Sequence, residues 1–303
     1  MRLNFYFIVF FSTLLMGSSF PVGGLLVASG ALPFSLVAQR FLIASLVGLL
    51  VVYFLACSSK ESMKLPNLGA AFVVGIFQTS GVMALVFWGL QYAPPPLIAA
   101  ILFSNVLLVA AAEVMMGGRS LTMTLALSLL LGAVGLAFAT GAVVFLTEAP
   151  VRGVFYGEFA ALGGAVCWAF ATLLTKKVRP VDPWNFSCLQ MLFGGLVLVP
   201  VALLAEPFFW VPGSVSELAW LLWLAVPAGV LSFGLWFMAL RLRSATECSA
   251  WLAAVPTFAL LLEWILNGKM PQGFQWFGGA LVVLGIALQV RERPITRALS
   301  RGR

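Results

Sequence analysis

The chain has 303 residues, 62% of them hydrophobic and only 9% charged, against roughly 25% charged in a soluble domain. Its net charge of +7 lies in short loops and in the tail after Val290 rather than on one folded face, which excludes a nucleic-acid-binding surface. There is no histidine, and Cys57, Cys167, Cys188 and Cys248 lack metal-type spacing, so no metal or cofactor is expected and the cysteines read as free thiols.

A helix needs about 20 apolar residues to cross the hydrocarbon core, and lipid favours helices because their backbone bonds are internal. Ten segments qualify: 5–28, 33–56, 67–91, 95–116, 121–141, 153–175, 184–205, 216–240, 245–267 and 272–290. The first follows Arg2 and precedes the small-residue run Ala28-Ser29-Gly30-Ala31, as a cleaved leader does. It exceeds the usual leader core of about 7–15 residues, however, and it has a counterpart opening the second half of the chain, so it reads as a retained span.

A shift of 150 residues lays one half of the chain on the other. Glu113 falls on Glu263, Gly118 on Gly268, Arg119 on Lys269, Gly135 on Gly285, Ala100 on Ala250 and Pro33 on Pro183. The units are a first five-helix repeat over 1–142, a linker over 143–152, a second repeat over 153–290 and a basic tail over 291–303.

With the N-terminus inside, the inner loops hold Arg2, Lys60, Lys64, Arg119, Lys176, Lys177, Arg179, Arg241, Arg243 and the arginines of the tail. The outer loops hold Arg152 and Lys269 beside Glu148, Glu206 and Glu217. This bias places both termini in the cytoplasm. Five spans per copy is odd, so the second copy enters the membrane from the opposite side. The expected fold is all-α and integral to the membrane, with ten transmembrane helices in two inverted repeats, a design that gives inward-open and outward-open packings of one chain.

Gly17-Ser18-Ser19-Phe20-Pro21 in the first span, Arg40-Phe41 in the second, Trp168 in the sixth, Pro256 in the ninth and Gly278-Gly279 to Gly285 in the tenth carry a resemblance over about residues 5–290. On these residues the chain resembles the EamA-type ten-helix branch of the drug/metabolite transporter superfamily. It departs from the family pattern at Val106, where the family often has proline, and at Gly118-Arg119 and Gly268-Lys269, where it often has Gly-Glu. The resemblance implies a bacterial inner-membrane carrier, nearest to exporters of amino acids, aromatic ones included.

Counting depth at about 1.5 Å per residue puts Ser19, Phe20, Gln78, Thr79, Asn105, Trp168, Thr172 and Ser232 near mid-membrane, as candidates to line a central cavity. Buried amides and hydroxyls need partners or water; the alternative at each position is a bond to its own helix or between helices. Pro21 and Pro256 remove backbone bonds and read as hinges. Trp88, Trp236, Trp264 and Trp276 lie near helix ends and read as interface anchors. Gly132, Gly135, Gly278, Gly279 and Gly285 read as close-packing positions.

Four ionisable residues lie within spans: Arg40, Glu113, Glu158 and Glu263. They are gate or coupling candidates, with an ion pair between Arg40 and Glu158 expected as part of an outer gate. Glu113 and Glu263 lie close enough to span ends to be interfacial or structural. No carboxylate falls at mid-depth, which leaves facilitated diffusion or coupling through a peripheral glutamate.

No reactive cluster suggests an enzyme, and no phosphate-binding loop suggests an ATPase or a need for an ATPase partner. The expected partners are membrane lipid and a small-molecule substrate. The expected function is secondary transport of small amphipathic metabolites, amino acids first, by alternating access, as exporter or facilitator. The alternatives are export of drugs or other metabolites by the same fold, and a non-transporting scaffold or receptor.

Overall fold

The computed structural model describes residues 2–59, 67–89, 92, 95–117, 120–142, 154–268 and 270–291. The linker 143–152, the tail after Arg291, and Lys60, Lys64, Arg119, Glu148, Arg152 and Lys269 lie outside the described residues. The helices are α1 (Arg2–Ala28), α2 (Pro33–Ser59), α3a (Leu68–Val74) and α3b (Val82–Gly89), α4a (Pro95–Phe103) and α4b (Asn105–Met115), α5 (Met123–Thr140) and α6 (Val154–Val178). They continue with α7 (Pro183–Ala205), α8a (Val215–Ala225) and α8b (Ser232–Leu242), α9a (Ala245–Leu252) and α9b (Val255–Asn267), and α10 (Gly273–Arg291). Among the described residues, nine spans are long and apolar enough to cross a membrane, and a shorter apolar helix covers Gly273–Gln289.

The interruptions repeat with the same 150-residue shift as the sequence. The third and eighth spans each contain a π-helical segment, Gly75–Gly81 and Val226–Leu231. The fourth and ninth spans each break in the middle, at Ser104 and at Ala253–Ala254. In the ninth span the cause is Pro256, the second residue of α9b, which has no N–H to continue the ladder. In the fourth span no proline stands near the break; the Ser104 hydroxyl bonds the carbonyl of Ile101 at 2.6 Å and competes with the helix for it. α1 instead runs unbroken through Pro21.

Span starts are set by local chemistry. Pro33 and Pro183 both open helices, where a missing N–H costs nothing. Asp182 caps α7 from its own chain neighbourhood, accepting from the amides of Trp184 and Asn185. α2 is capped from a distance: Glu206, just past α7, accepts from the amides of Phe34 and Ser35.

The spans form two exchanged bundles. α6 packs on the third and fourth spans of the first repeat, and α1 packs on the eighth and ninth spans of the second. Two pairs of symmetry mates, α2 with α7 and α5 with α10, make the most extensive contacts and hold the bundles together. The end where α1 begins and α10 finishes is here called the terminus side, and the opposite end the linker side.

Glycine makes the α5–α10 contact possible. A Cβ at Gly278 would lie 2.2 Å from the Ala139 nitrogen, one at Gly135 2.7 Å from the Val282 nitrogen, and one at Gly285 2.8 Å from the Ser128 oxygen. Gly279 faces Thr257 of α9b instead. Gly132 joins the contact through its backbone, its nitrogen lying 3.1 Å from where a Cβ at Gly285 would stand, but nothing lies within 4 Å of its own Cβ direction. Gly278→Leu should therefore destabilise the fold by about 3 kcal/mol, the top of the usual overpacking range, since the colliding atoms are backbone. Gly132→Ala should not lower stability and should raise it by up to about 1 kcal/mol, since a helix-interior glycine is replaced where its Cβ meets nothing. Thermal unfolding of the two variants in detergent checks the contrast.

Trp88, Trp264 and Trp276 lie on the surface near helix ends, in keeping with interface anchors. Trp236 does not: it is fully buried, at 0% exposure. The helix extends past the expected span end to Leu242, so Trp236 sits inside the bundle rather than at its rim.

Candidate functional site: an unpartnered polar cluster between the bundles

α6 is the element around which the candidate site is built. Trp168, Thr172 and Thr175 are spaced i, i+4 and i+7, so they share one face. All three are buried, and none of their polar side-chain atoms has a hydrogen-bond partner among the described residues. α6 packs on the π segment of the third span and on both halves of the fourth. Those neighbours carry Gln78, 3% exposed, and Asn105, 1% exposed, each with both amide atoms unpartnered. α6 also touches α8b and α9a, which carry the unpartnered Trp236 Nε1 and Ser249 Oγ. A buried polar atom without a partner costs about 1–3 kcal/mol. Such a concentration on one helix and its neighbours marks a place built for polar guests rather than for packing.

An aromatic wall adjoins it. Trp168 lies 5.7 Å from Phe103 of α4a, and Phe103 lies 5.9 Å from Phe20 of α1. This row crosses from one bundle to the other. Phe20 remains 46% exposed, and beyond it on the same face Gly24 has nothing within 4 Å of its Cβ direction.

Other candidates have their valences filled. Thr79 donates to Gln190 Oε1 at 2.8 Å, fastening the π segment to α7. The Ser232 hydroxyl bonds the Ala228 carbonyl of its own helix at 2.6 Å. Ser19 accepts from Arg40 Nη2 at 3.1 Å. Gln78, Asn105, Trp168 and Thr172 are thus the polar candidates left open, with Phe20 as part of the wall. Phe103, Thr175 and Ser249 were not singled out from the sequence. The i+7 spacing of Thr175 from Trp168 was the available signal for one of them.

The expected ion pair between Arg40 and Glu158 is not formed. The Arg40 guanidinium is held by the carbonyls of Leu224, at 3.1 Å, and Ala228, at 3.0 Å, besides Ser19. Leu224 lies two residues before, and Ala228 within, the stretch where the i→i+5 pattern and Pro227 disturb the normal ladder. Arg40 therefore clasps the eighth span through two backbone carbonyls, with the Ser19 hydroxyl as its third acceptor. Glu158 is half-buried near the linker-side start of α6.

Glu113 caps a helix of the other bundle. Its carboxylate accepts from the amides of Ala245 and Thr246, both at 3.0 Å, and from the Thr246 hydroxyl at 2.6 Å. Glu263 is half-buried near the end of α9b. Among the described residues no group of three His, Cys, Asp or Glu side chains converges to hold a metal.

The terminus side is closed between the bundles. α4b packs on α9a, and α6 meets α8b and α9a. No comparable packing joins the linker-side halves α4a and α9b among the described residues. A separate small pocket lies behind the two helix breaks, against α5 and α10, lined by Val106, Gly132, Ala250, Ala253 and Gln289 among others.

Comparison with known proteins agrees with this architecture. The chain is 25% identical over 293 residues to the "Uncharacterized transporter YyaM" of Bacillus subtilis (strain 168), covering 94% of this chain and 93% of that one. It is 25% identical over 269 residues to "Protein PecM" of Dickeya dadantii (strain 3937), covering 85% and 88%. A solved crystal structure matches the fold with a TM-score of 0.79 at 23% identity, covering 93% of this chain and 95% of that one. The EamA-like transporter family matches twice, at residues 3–141 and 155–291, once for each five-helix repeat. The chain therefore belongs to the EamA-like transporter family and is a multi-pass membrane protein of the drug/metabolite transporter superfamily.

Proposed function

We propose that this transporter moves small amphipathic metabolites, amino acids first among them, across the bacterial inner membrane by alternating access. Both termini lie in the cytoplasm, so the terminus side is the inner side. Its partners are the substrate and lipid, with no ATPase and no enzymatic step. The observation that carries the reading is the set of unpartnered neutral groups, Gln78, Asn105, Trp168 Nε1 and Thr172, beside the Phe20–Phe103–Trp168 wall. Neutral donors and acceptors fit the polar end of a zwitterion, and the rings fit an apolar or aromatic side chain. The breaks in the fourth and ninth spans let their halves move separately while α5 and α10 stay packed. Net direction follows the gradient, as exporter or facilitator.

The test is uptake of a labelled amino-acid panel by proteoliposomes, with and without an imposed pH gradient. Saturable uptake is expected, reduced about tenfold in Trp168→Ala, the equivalent of one lost hydrogen bond or stacking contact. Stimulation by the gradient would assign proton antiport, and indifference to it a facilitator. Absence of uptake of every amino acid by folded protein would overturn the amino-acid reading in favour of other metabolites or drugs.

A further inference from the structure

We infer that Lys176, which belongs to neither the polar cluster nor the aromatic wall, is a gating residue of the transport cycle: it latches the terminus side shut, and the inverted repeat supplies no equivalent on the linker side. The inference rests on the transport reading above for its meaning in the cycle, though not for its geometry.

Lys176 is half-buried near the end of α6. Its ammonium donates to the carbonyl of Leu240, at 2.6 Å, and to that of Arg243. Both belong to the last turn and cap of α8b, in the opposite bundle. The return contact comes from Arg241, whose Nη1 donates to the carbonyl of Val181 in the turn after α6, at 2.8 Å. On the far side of the same α8b–α9a turn, Glu113 caps the first amides of α9a. One bundle thus grips a single turn of the other at both of its helix ends. A cation meets the carbonyl end of α8b and an anion meets the amide end of α9a, the signs that helix dipoles favour. The bonds are charge-assisted and partly shielded from water. For the bundles to part on this side, Lys176 must leave both carbonyls.

The repeat makes the latch one-sided. A shift of 150 residues carries Lys176 onto Leu26. Leu26 is 1% exposed and packs with Val22, Trp210, Leu221 and Leu224, so it faces the eighth span of its own bundle rather than the opposite one. Glu113 does have a carboxylate mate, Glu263, but the amides it would cap fall on Pro95 and Pro96, which carry no N–H, so neither the lysine bond nor the glutamate cap is repeated. The consequence is a carrier biased towards the conformer closed on the terminus side.

Cys248 reports the opening. It is fully buried in α9a, one turn beyond the amides that Glu113 holds. In protein with Cys57, Cys167 and Cys188 replaced by alanine, a membrane-impermeant maleimide is applied to inverted vesicles, which present the terminus side. Lys176→Met is expected to raise the Cys248 labelling rate about tenfold, as for loss of a charge-assisted bond, and Lys176→Arg, which keeps the cation, to stay near the parent. Equal rates in parent and Lys176→Met, at an unchanged thermal midpoint, would overturn the latch. Fast labelling in both Lys176→Met and Lys176→Arg would overturn it too, because that marks loosened packing rather than a lost cation. If Lys176→Met does not fold, Lys176→Gln is judged by the same criteria. No substrate is needed, so cation-dependent labelling in a protein that takes up no amino acid would retain the latch and reject the cargo reading.

Discussion

Asn105→Leu is expected to remove most transport while leaving the folded protein as stable as the parent, or more so. The two side chains share a branched shape with the same number of heavy atoms, and Asn105 opens α4b fully buried with neither amide atom bonded among the described residues. Replacing an unpartnered buried amide by an apolar group removes a desolvation penalty and breaks no bond within the protein. If the amide serves a substrate, the lost hydrogen bond is worth about 1–3 kcal/mol, or roughly a 5- to 150-fold fall in transport efficiency. Thr79→Val is the matched contrast. Thr79 is engaged with Gln190, so its loss should lower stability by about 1 kcal/mol. The two variants, compared by thermal midpoint and by proteoliposome flux, separate a residue that binds cargo from one that joins helices. A fall in stability with Asn105→Leu at unchanged flux would remove Asn105 from the site.

Arg40→Leu is expected to act in the opposite way, on the fold. It would leave the Leu224 carbonyl without its guanidinium donor in the middle of the bundle, while the Ala228 carbonyl would lose one of its two side-chain donors and keep the Ser232 hydroxyl. At about 1–3 kcal/mol for the orphaned Leu224 carbonyl and about 1 kcal/mol for the lost second bond to Ala228, the loss is on the order of 3 kcal/mol, a large share of a marginal protein's stability. Arg40→Lys should recover part of this, because one ammonium can reach some of the acceptors but lacks the planar fork. Purified yield and thermal midpoint read the effect. Normal stability in Arg40→Leu, with transport abolished, would show that Arg40 serves the substrate rather than the eighth span.

The span boundaries were legible because a bilayer demands long apolar runs, and such runs are visible without neighbours. The expected 184–205, for instance, is the helix Pro183–Ala205. The duplication was legible in residues as sparse as Glu113 and Glu263. What was hidden are the interactions that end on backbone. Arg40, Lys176 and Glu206 each bond main-chain groups, and a carbonyl or amide leaves no mark in the residue letters. Reasoning from side chains alone therefore paired Arg40 with a carboxylate. The π segments were hidden for a related reason, since one extra residue in a turn barely alters a continuous apolar run. Mid-depth counting selected Gln78 and Asn105, whose amides have no partner among the described residues and which belong to the candidate site. The same counting also selected Thr79 and Ser232, because depth cannot tell a hydroxyl with a helix carbonyl in reach from an amide without one.

The central claim is that the polar groups between the bundles form a site reached from one side at a time. Gln78→Cys, in a chain with the native cysteines replaced, tests it most directly when a membrane-impermeant thiol reagent is applied separately to each face, with and without a transported substrate. The account predicts reaction from the linker side, slower reaction from the terminus side, and protection by substrate. A thiol that reacts from neither side, or at a rate that substrate leaves unchanged, would contradict it.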